Sequence, residues 1–205
     1  MCVYVLNTPC LRCAGWDAYM NGDLLTPQGK SFWVNITGCT DYFNIMRVNS
    51  PASFNYFSAY LNQPAQRAAL HVGDATLHSG SAVERALIPD VMQSVKQELD
   101  VLMQNYNVLL YSGQLDVIIG ALLTDQFVPT LVWPGSVAYS KAERNIWTLG
   151  DNVAGYAKQV TTKSAGGSDI TFVRAVVRGA GHIVPFDAPA AALNMLERFV
   201  DGTYW

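Results

Sequence analysis

Apolar residues in the first half of the chain recur at the spacing of helices. This pattern predicts helices over residues 14–25, 65–70 and 90–106, the second with a proline just before it in the first turn. In the third, four apolar residues fall on one face: Val91, Val95, Leu99 and Leu102. Residues 30–53 are polar and aromatic without a sustained period, so we expect a loop or a small cap there.

The period changes in the second half, where short apolar runs alternate with helical patterns. The runs predict strands at 107–111, 130–133, 154–160 and 170–177. The first run is continuously apolar, as in a strand buried on both faces of a sheet. Helices are predicted over 117–125 and 189–200. Strands that alternate with helices indicate an α/β fold with a central, mostly parallel sheet flanked by helices.

The chain of 205 residues carries little charge for its size. Half of its residues are hydrophobic and 14% are charged, against roughly 25% charged in an average soluble protein. Some apolar surface is therefore expected to face a partner. The net charge of −3 argues against binding to nucleic acid or to an anionic membrane. The longest apolar stretch, about residues 117–123, is far shorter than the ~20 residues of a transmembrane helix.

Signals for cellular location point in two directions. The first residues lack the basic start and long apolar run of a signal peptide, which taken alone indicates the cytosol. In contrast, Asn35-Ile36-Thr37 is an acceptor sequence for N-glycosylation, which makes Asn35 a candidate site in the secretory pathway. The cysteines include a single C-x-x-C pair, Cys10 and Cys13, with no second pair or nearby histidine. This spacing disfavours zinc and leaves a redox pair, disulfide partners or simple thiols open.

Two polar residues follow predicted strands at positions suited to chemistry. Asp116 follows the run that ends at Tyr111, and His182 follows the run that ends at Val177. Loops past the carboxyl ends of strands meet at one crevice in open α/β sheets. Aspartate before histidine is the last part of the order Ser, Asp, His in α/β-hydrolases. A histidine that takes a proton from a nucleophile needs a buried carboxylate on its other nitrogen.

Structural interpretations of these residues stay open at this point. Asp116 is also placed to cap a helix that begins at Val117. The position of His182 is equally compatible with an ordinary loop histidine. The glycines before His182 do not complete a dinucleotide fingerprint, because that motif needs glycine where Val184 stands. His71 and His78 lack the spacing of zinc-protease ligands. The sequence therefore predicts neither a metal nor a cofactor.

Five motifs, in order, then carry a family resemblance. They are Asn35-Ile36-Thr37-Gly38-Cys39, Ala69-Leu70-His71-Val72-Gly73, Leu110-Tyr111-Ser112-Gly113-Gln114-Leu115-Asp116, Val153-Ala154-Gly155-Tyr156 and Gly179-Ala180-Gly181-His182-Ile183-Val184-Pro185-Phe186-Asp187-Ala188-Pro189. They resemble the C-terminal half of the serine carboxypeptidases, most of all the vitellogenic-like branch. The resemblance implies an incomplete α/β-hydrolase fold over residues 14–205. Residues 1–13 stay unmatched, 14–106 form a partly helical, cap-like region, and 107–205 form the sheet and the catalytic loops.

The resemblance also implies a function. Asp116 and His182 match the aspartate and histidine of the family's triad, and Ile183 matches a position that lines the pocket for the leaving residue. The implied reaction releases the last amino acid of a peptide through an acyl-enzyme. The implied setting is a secreted, lysosomal or vacuolar glycoprotein, with a peptide C-terminus as substrate.

The nucleophile is the main departure from the family pattern. No serine has glycine on both sides in a G-x-S-x-G arrangement, and Ser168, which follows Gly166, has Ile170 on its other side. We therefore expect an N-terminal half or another chain to supply the serine, and we expect this chain alone to be inactive. A truncated gene model and a natural small chain are both compatible with this. An acyltransferase of the same family, an inactive interaction module and a homodimer are the alternatives.

Overall fold

The computed structural model describes residues 38–205 apart from residues 40, 42, 79 and 92. The predicted helix over 14–25, Asn35, Cys10 and Cys13 lie outside the described residues. The chain divides into two compact units. Among the described residues, one unit contains 43–46 and 94–205, and the other contains 38–41 and 47–93.

The unit of residues 47–93 is helical. A 3-10 turn over Ala52–Asn55 leads into α1, Tyr56–Leu61, and is followed by α2, Pro64–Ala69, and α3, Ser81–Val91. The predicted helix over 65–70 is confirmed as α2. Pro64 occupies its first turn, where the missing N–H removes no helical hydrogen bond.

The single helix predicted over residues 90–106 is wrong. Helix α3 ends at Val91, and a separate helix, α4, spans Lys96–Leu102. Between them, the Oγ of Ser94 accepts a hydrogen bond from the backbone N–H of Lys96 at 3.3 Å. Such a local side-chain bond stabilises a helix start and competes with a continuous helix. Leu99 is 1% exposed and Leu102 is 39% exposed, so the predicted apolar face is not uniformly buried.

The other unit is built on a four-stranded sheet in the order β1-β4-β3-β2. The strands are β1 over Val108–Gly113, β2 over Asn145–Leu149, β3 over Asn152–Lys163 and β4 over Asp169–Val177. β1 pairs with β4 in parallel, whereas β4 with β3 and β3 with β2 are antiparallel. The α/β class is confirmed. In the described residues the sheet is mixed rather than mostly parallel.

Three of the four predicted strands exist, with longer bounds. The strand predicted over 130–133 is wrong, since a 3-10 turn, Val128–Thr130, leads there into irregular chain. Leu131 and Trp133 are buried in the core, but the N–H of Val132 donates to Asp100 Oδ1 at 2.8 Å instead of to a strand. Sequence reasoning missed β2, because its neighbouring apolar residues do not show which face is buried. In the structure Trp147 is buried and Ile146 is 66% exposed. Tyr111 of β1 is 47% exposed, so β1 is not buried on both faces along its whole length.

Helices cover both faces of the sheet. They are α5 over Ala121–Phe127, α6 over Ser136–Lys141, α7 over Val184–Asp187 and α8 over Pro189–Val200. The prediction for 189–200 is confirmed as α8. Successive strand residues point to opposite faces, so Ala175 and Val177 of β4 pack with Met195 of α8, while Phe172 packs with Phe127 of α5 on the other side. Among the described residues, none of the helices has the length and apolar character needed to cross a bilayer.

Gly155 allows a close contact between β3 and β4. A Cβ there would lie 2.2 Å from the carbonyl oxygen of Val176 and 3.0 Å from a ring carbon of Trp147. We expect Gly155→Ala to lower the free energy of unfolding by about 1–3 kcal/mol, because backbone must shift. Urea denaturation measures it. Gly166→Ala is the matched control, since its nearest new neighbour is 3.8 Å away. Equal stability of the two variants would contradict the packing argument.

Candidate active site

Parallel pairing of β1 with β4 brings the two predicted residues together. Gly113, the last residue of β1, is in register with Val177, the last residue of β4. The loops that follow therefore begin side by side. Asp116 lies in the first loop and His182 in the second, and the Oδ2 of Asp116 is 2.9 Å from the Nδ1 of His182.

Each carboxylate oxygen of Asp116 has its own task. Oδ1 accepts hydrogen bonds from the backbone N–H groups of Ile118, at 2.9 Å, and Ile119, at 3.0 Å. Oδ2 faces His182, and the Asp116 side chain is 5% exposed. The capping interpretation is thus half right: Asp116 caps a turn over 117–120, and α5 begins at Ala121 rather than at Val117. One carboxylate fixes the loop and orients the imidazole.

His182 is held on one side and open on the other. Its backbone N–H donates to the carbonyl of Phe43 at 2.7 Å, and its ring centroid lies 5.8 Å from that of Phe43. The His182 side chain is 31% exposed. Among the residues that the structure describes, none hydrogen-bonds to Nε2. Nε2 is therefore the nitrogen available to a reacting group.

Two glycines allow the loops to approach this closely. A Cβ on Gly113 would lie 2.1 Å from the carbonyl oxygen of Gly181, and a Cβ on Gly181 would lie 2.2 Å from that of Phe43. The N–H of Leu115 also donates to the carbonyl of Ala180 at 2.8 Å. A larger residue at Gly113 would push the Asp116 and His182 loops apart, and one at Gly181 would push the His182 loop away from Phe43 and Asn44.

Asp187, which sequence reasoning missed as a site residue, ties this region together. Its Oδ2 accepts hydrogen bonds from the N–H of Gly181 at 2.7 Å and from the side-chain amide of Asn44 at 2.9 Å. It thereby joins the residue before His182 to the segment that contacts the His182 ring. The signal was present, because Asp187 belongs to the motif around His182 that carried the family resemblance.

The other predicted site residues have separate outcomes. Ile183 is half-buried, and its carbonyl accepts the N–H groups of Phe186 and Asp187 at the start of α7. Its role in specificity stays a prediction. Within the described ranges, no serine hydroxyl bonds to His182, and no group of three His, Cys, Asp or Glu residues could hold a metal ion.

These features define an α/β protein with an aspartate–histidine pair at the carboxyl edge of its parallel strands. Comparison with known proteins gives the family. The model of the family Peptidase S10, serine carboxypeptidase, matches residues 24–202. The chain is 40% identical over 192 residues to the probable serine carboxypeptidase CPVL of Rattus norvegicus, and 36% identical over 186 residues to the venom serine carboxypeptidase of Apis mellifera. The chain belongs to the serine carboxypeptidase family.

The matches cover most of this chain but a smaller part of its relatives. The alignments span 92% of the chain with the rat protein and 90% with the bee protein, but 38% of either relative. A solved structure, that of Kex1(delta)p, a prohormone-processing carboxypeptidase from Saccharomyces cerevisiae, superposes with a TM-score of 0.60. That match covers 96% of this chain and 49% of the yeast chain at 15% identity, so it supports the fold alone.

Asp116→Asn tests which atom of the carboxylate orients His182. The N–H groups of Ile118 and Ile119 hold an oxygen at the Oδ1 position, so the new amide should turn its NH2 group toward Nδ1. Nδ1 then becomes an acceptor, and the ring proton of neutral His182 moves to Nε2. Ring-nitrogen NMR shifts report the tautomer. Asp169→Asn, on an exposed carboxylate, should change nothing, and an unchanged tautomer in Asp116→Asn would refute the assignment.

Asp187→Ala tests the support of the His182 loop. The buried N–H of Gly181 loses its acceptor, which costs about 1–3 kcal/mol of unfolding free energy. Chemical denaturation gives the value, and NMR should show a weakened bond between Asp116 and His182. Asp169→Ala removes an exposed ion pair with Lys163 instead and should cost less than about 1 kcal/mol. A loss no greater than in this control would argue against the role of Asp187.

Proposed function

We propose that this chain supplies the aspartate and the histidine of a serine carboxypeptidase whose nucleophilic serine lies outside the chain. The main support for this proposal is the 2.9 Å contact between Asp116 Oδ2 and His182 Nδ1. Within the described residues, Nε2 of His182 has no hydrogen-bond partner. Family membership supports the reaction class. The proposed reaction is the release of the C-terminal amino acid of a peptide through an acyl-enzyme.

His182 moves the proton in both halves of this reaction. Nε2 takes the proton of the serine hydroxyl as its oxygen attacks the scissile carbonyl. The same nitrogen then gives the proton to the leaving amine, so that a free amino acid departs and the acyl-enzyme remains. In the second half, Nε2 activates water in the same way, and the serine is released. An exposure of 31% suits a ring that meets a substrate.

Asp116 acts on the other side of the imidazole. It keeps the proton of neutral His182 on Nδ1, which leaves the lone pair on Nε2 free to act as a base. It also stabilises the imidazolium that forms in each transfer. Since its side chain is 5% exposed, solvent screens this interaction weakly. Ile183, next to His182, is proposed to contact the leaving residue.

The serine is proposed to come from outside the chain for two reasons. The sequence contains no G-x-S-x-G arrangement, and the chain spans 38% of the length of the rat relative. The proposed partner is thus the remaining part of such a protein. The proposed setting is the secretory pathway, lysosomal, vacuolar or extracellular, with Asn35 glycosylated. One relative is named as a venom protein.

Complementation tests the proposal directly. This chain is co-expressed with the part of the rat relative that its alignment leaves out, and the complex is assayed on a blocked dipeptide. We expect peptidase activity, with a fluorophosphonate probe labelling the serine of the added part and not this chain. Asp116→Asn and His182→Ala should each lower kcat by roughly 10³–10⁴-fold.

The control variants make the same substitutions at an aspartate and a histidine outside the site. Asp169→Asn and His78→Ala alter exposed side chains and should leave kcat unchanged. Labelling of a serine in this chain alone would overturn the outside serine. Full activity of His182→Ala would overturn the role of His182. Transfer from a glucose ester without peptidase activity would establish the acyltransferase, and a stable chain that binds no complement would establish an independent module.

A further inference from the structure

A second polar site lies on the sheet unit, separate from Asp116 and His182. It is a cavity of about 350 Å³ against β3, β4, α5 and α6. Its walls include apolar side chains such as Trp133 and Val128. Its ionisable and phenolic side chains are Asp125, Tyr139, Arg144, Tyr156, Lys158 and Arg174. In a chain with 14% charged residues, this concentration of charge is unusual.

The cations of this cavity exceed its anions. Arg144, Lys158 and Arg174 face it together with a single carboxylate, that of Asp125. Three positive charges and one negative charge leave two positive charges. Asp125 is already engaged, because its Oδ1 accepts a hydrogen bond from the Nε of Arg174 at 2.9 Å. Throughout the described part of the chain, neither Arg144 nor Lys158 forms an ion pair.

Arg174 is the fixed part of the site. Its side chain is 3% exposed, and its two remaining nitrogens donate to the carbonyls of Ala175, at 2.6 Å, and Ala121, at 3.0 Å. Burial lowers the pKa of the Arg174 guanidinium, and Asp125 opposes that shift. Burial disfavours the charged form of Tyr139 as well, and it raises the pKa of that hydroxyl to about 12, so the hydroxyl is neutral. The cavity therefore holds a rigid, desolvated cation at its base.

Arg144 and Lys158 are held over aromatic rings rather than by acids. The Nζ of Lys158 lies 4.5 Å from the ring centroid of Tyr139, and the Cζ of Arg144 lies 5.9 Å from that of Tyr156. Such cation–π contacts orient a cation without neutralising it. Both groups thus remain able to bind an anion.

The sheet register places two of these cations opposite each other. Lys158 on β3 is the direct cross-strand partner of Arg174 on β4. Like charges at opposed positions of an antiparallel pair repel each other and destabilise the sheet. A bound anion would relieve this repulsion. Concave sites with mostly apolar walls and a few convergent charged or polar groups are typical of ligand pockets.

We propose that this cavity binds the phosphate group of a small molecule, either free phosphate or a phosphate ester. A phosphate ester carries close to two negative charges above its second pKa of about 6, and free phosphate does so at a somewhat higher pH, which matches the two uncompensated positive charges. Arg144 and Lys158 are the binding cations, and Arg174, which is buried and paired with Asp125, lines the same cavity. The apolar walls would favour an ester over the free anion. This site is independent of the proposed peptidase reaction.

Thermal unfolding with added ligand tests the site, because a ligand that binds the native state raises the unfolding midpoint. Inorganic phosphate and phenyl phosphate are titrated at constant ionic strength and about pH 8, with acetate as a monoanion comparison. We expect phosphate to raise the midpoint of the wild-type chain and acetate to leave it unchanged. Phenyl phosphate should bind more tightly if an ester is the natural ligand, and no more tightly if phosphate itself is.

Variants then assign the effect to the cavity. Lys158→Gln and Arg144→Gln should each weaken phosphate binding by about tenfold or more, as expected for a lost charged hydrogen bond. Lys163→Gln is the matched control, since it removes the same charge from the same strand outside the cavity. Without phosphate, Lys158→Gln should unfold close to the wild-type temperature, because the lost contact with Tyr139 and the lost charge opposite Arg174 act in opposite directions.

Three results would overturn the proposal. The first is a midpoint that phosphate does not change in the wild-type chain. The second is an equal shift with acetate, which would mean general ionic screening. The third is an equal phosphate shift in Lys158→Gln and Lys163→Gln. If Lys158→Gln fails to fold, Arg144→Gln decides the matter, because Arg144 is exposed and lies outside the regular elements.

Discussion

The parallel pairing of β1 with β4 is the constraint on which the candidate site depends. Its register aligns Gly113 with Val177, so the loops that follow leave the sheet at one edge and at one height. Only a few loop residues separate each of Asp116 and His182 from the end of its strand, so the two side chains lie close together. Hydrophobic clusters on both faces hold the strands in this register, and a slip would separate the pair.

The loops themselves are held by backbone contacts rather than by side-chain bulk. Gly113 and Gly181 bring two peptide segments closer than any side chain would allow. Asp116 and Asp187 then satisfy the N–H groups exposed by these turns. Two of the chain's few carboxylates thus hold backbone N–H groups at this edge of the sheet.

Much of the fold was predictable from the sequence, and the two main errors have different causes. α8, β1, β3 and β4 follow from local apolar patterns, because each carries enough apolar residues to define a core face. α2 has no buried residue and follows instead from the proline in its first turn. The run at 130–133 was misread because buried irregular chain and a buried strand have the same apolar composition. The break after Val91 contains one local side-chain bond, from the N–H of Lys96 to the Oγ of Ser94, and a single serine is a weak signal against a long helical pattern.

The sequence by itself determined the family, the α/β class and the pair Asp116 and His182, because these rest on residue types in a fixed order along the chain. Only the tertiary structure decided the antiparallel pairs, the role of Asp187 and the cavity around Arg174. The reason is physical: Lys158 and Arg174 lie on consecutive strands, and only the register of β3 and β4 sets them opposite each other. The same holds for the contact of Asp187 with Asn44, which joins distant segments.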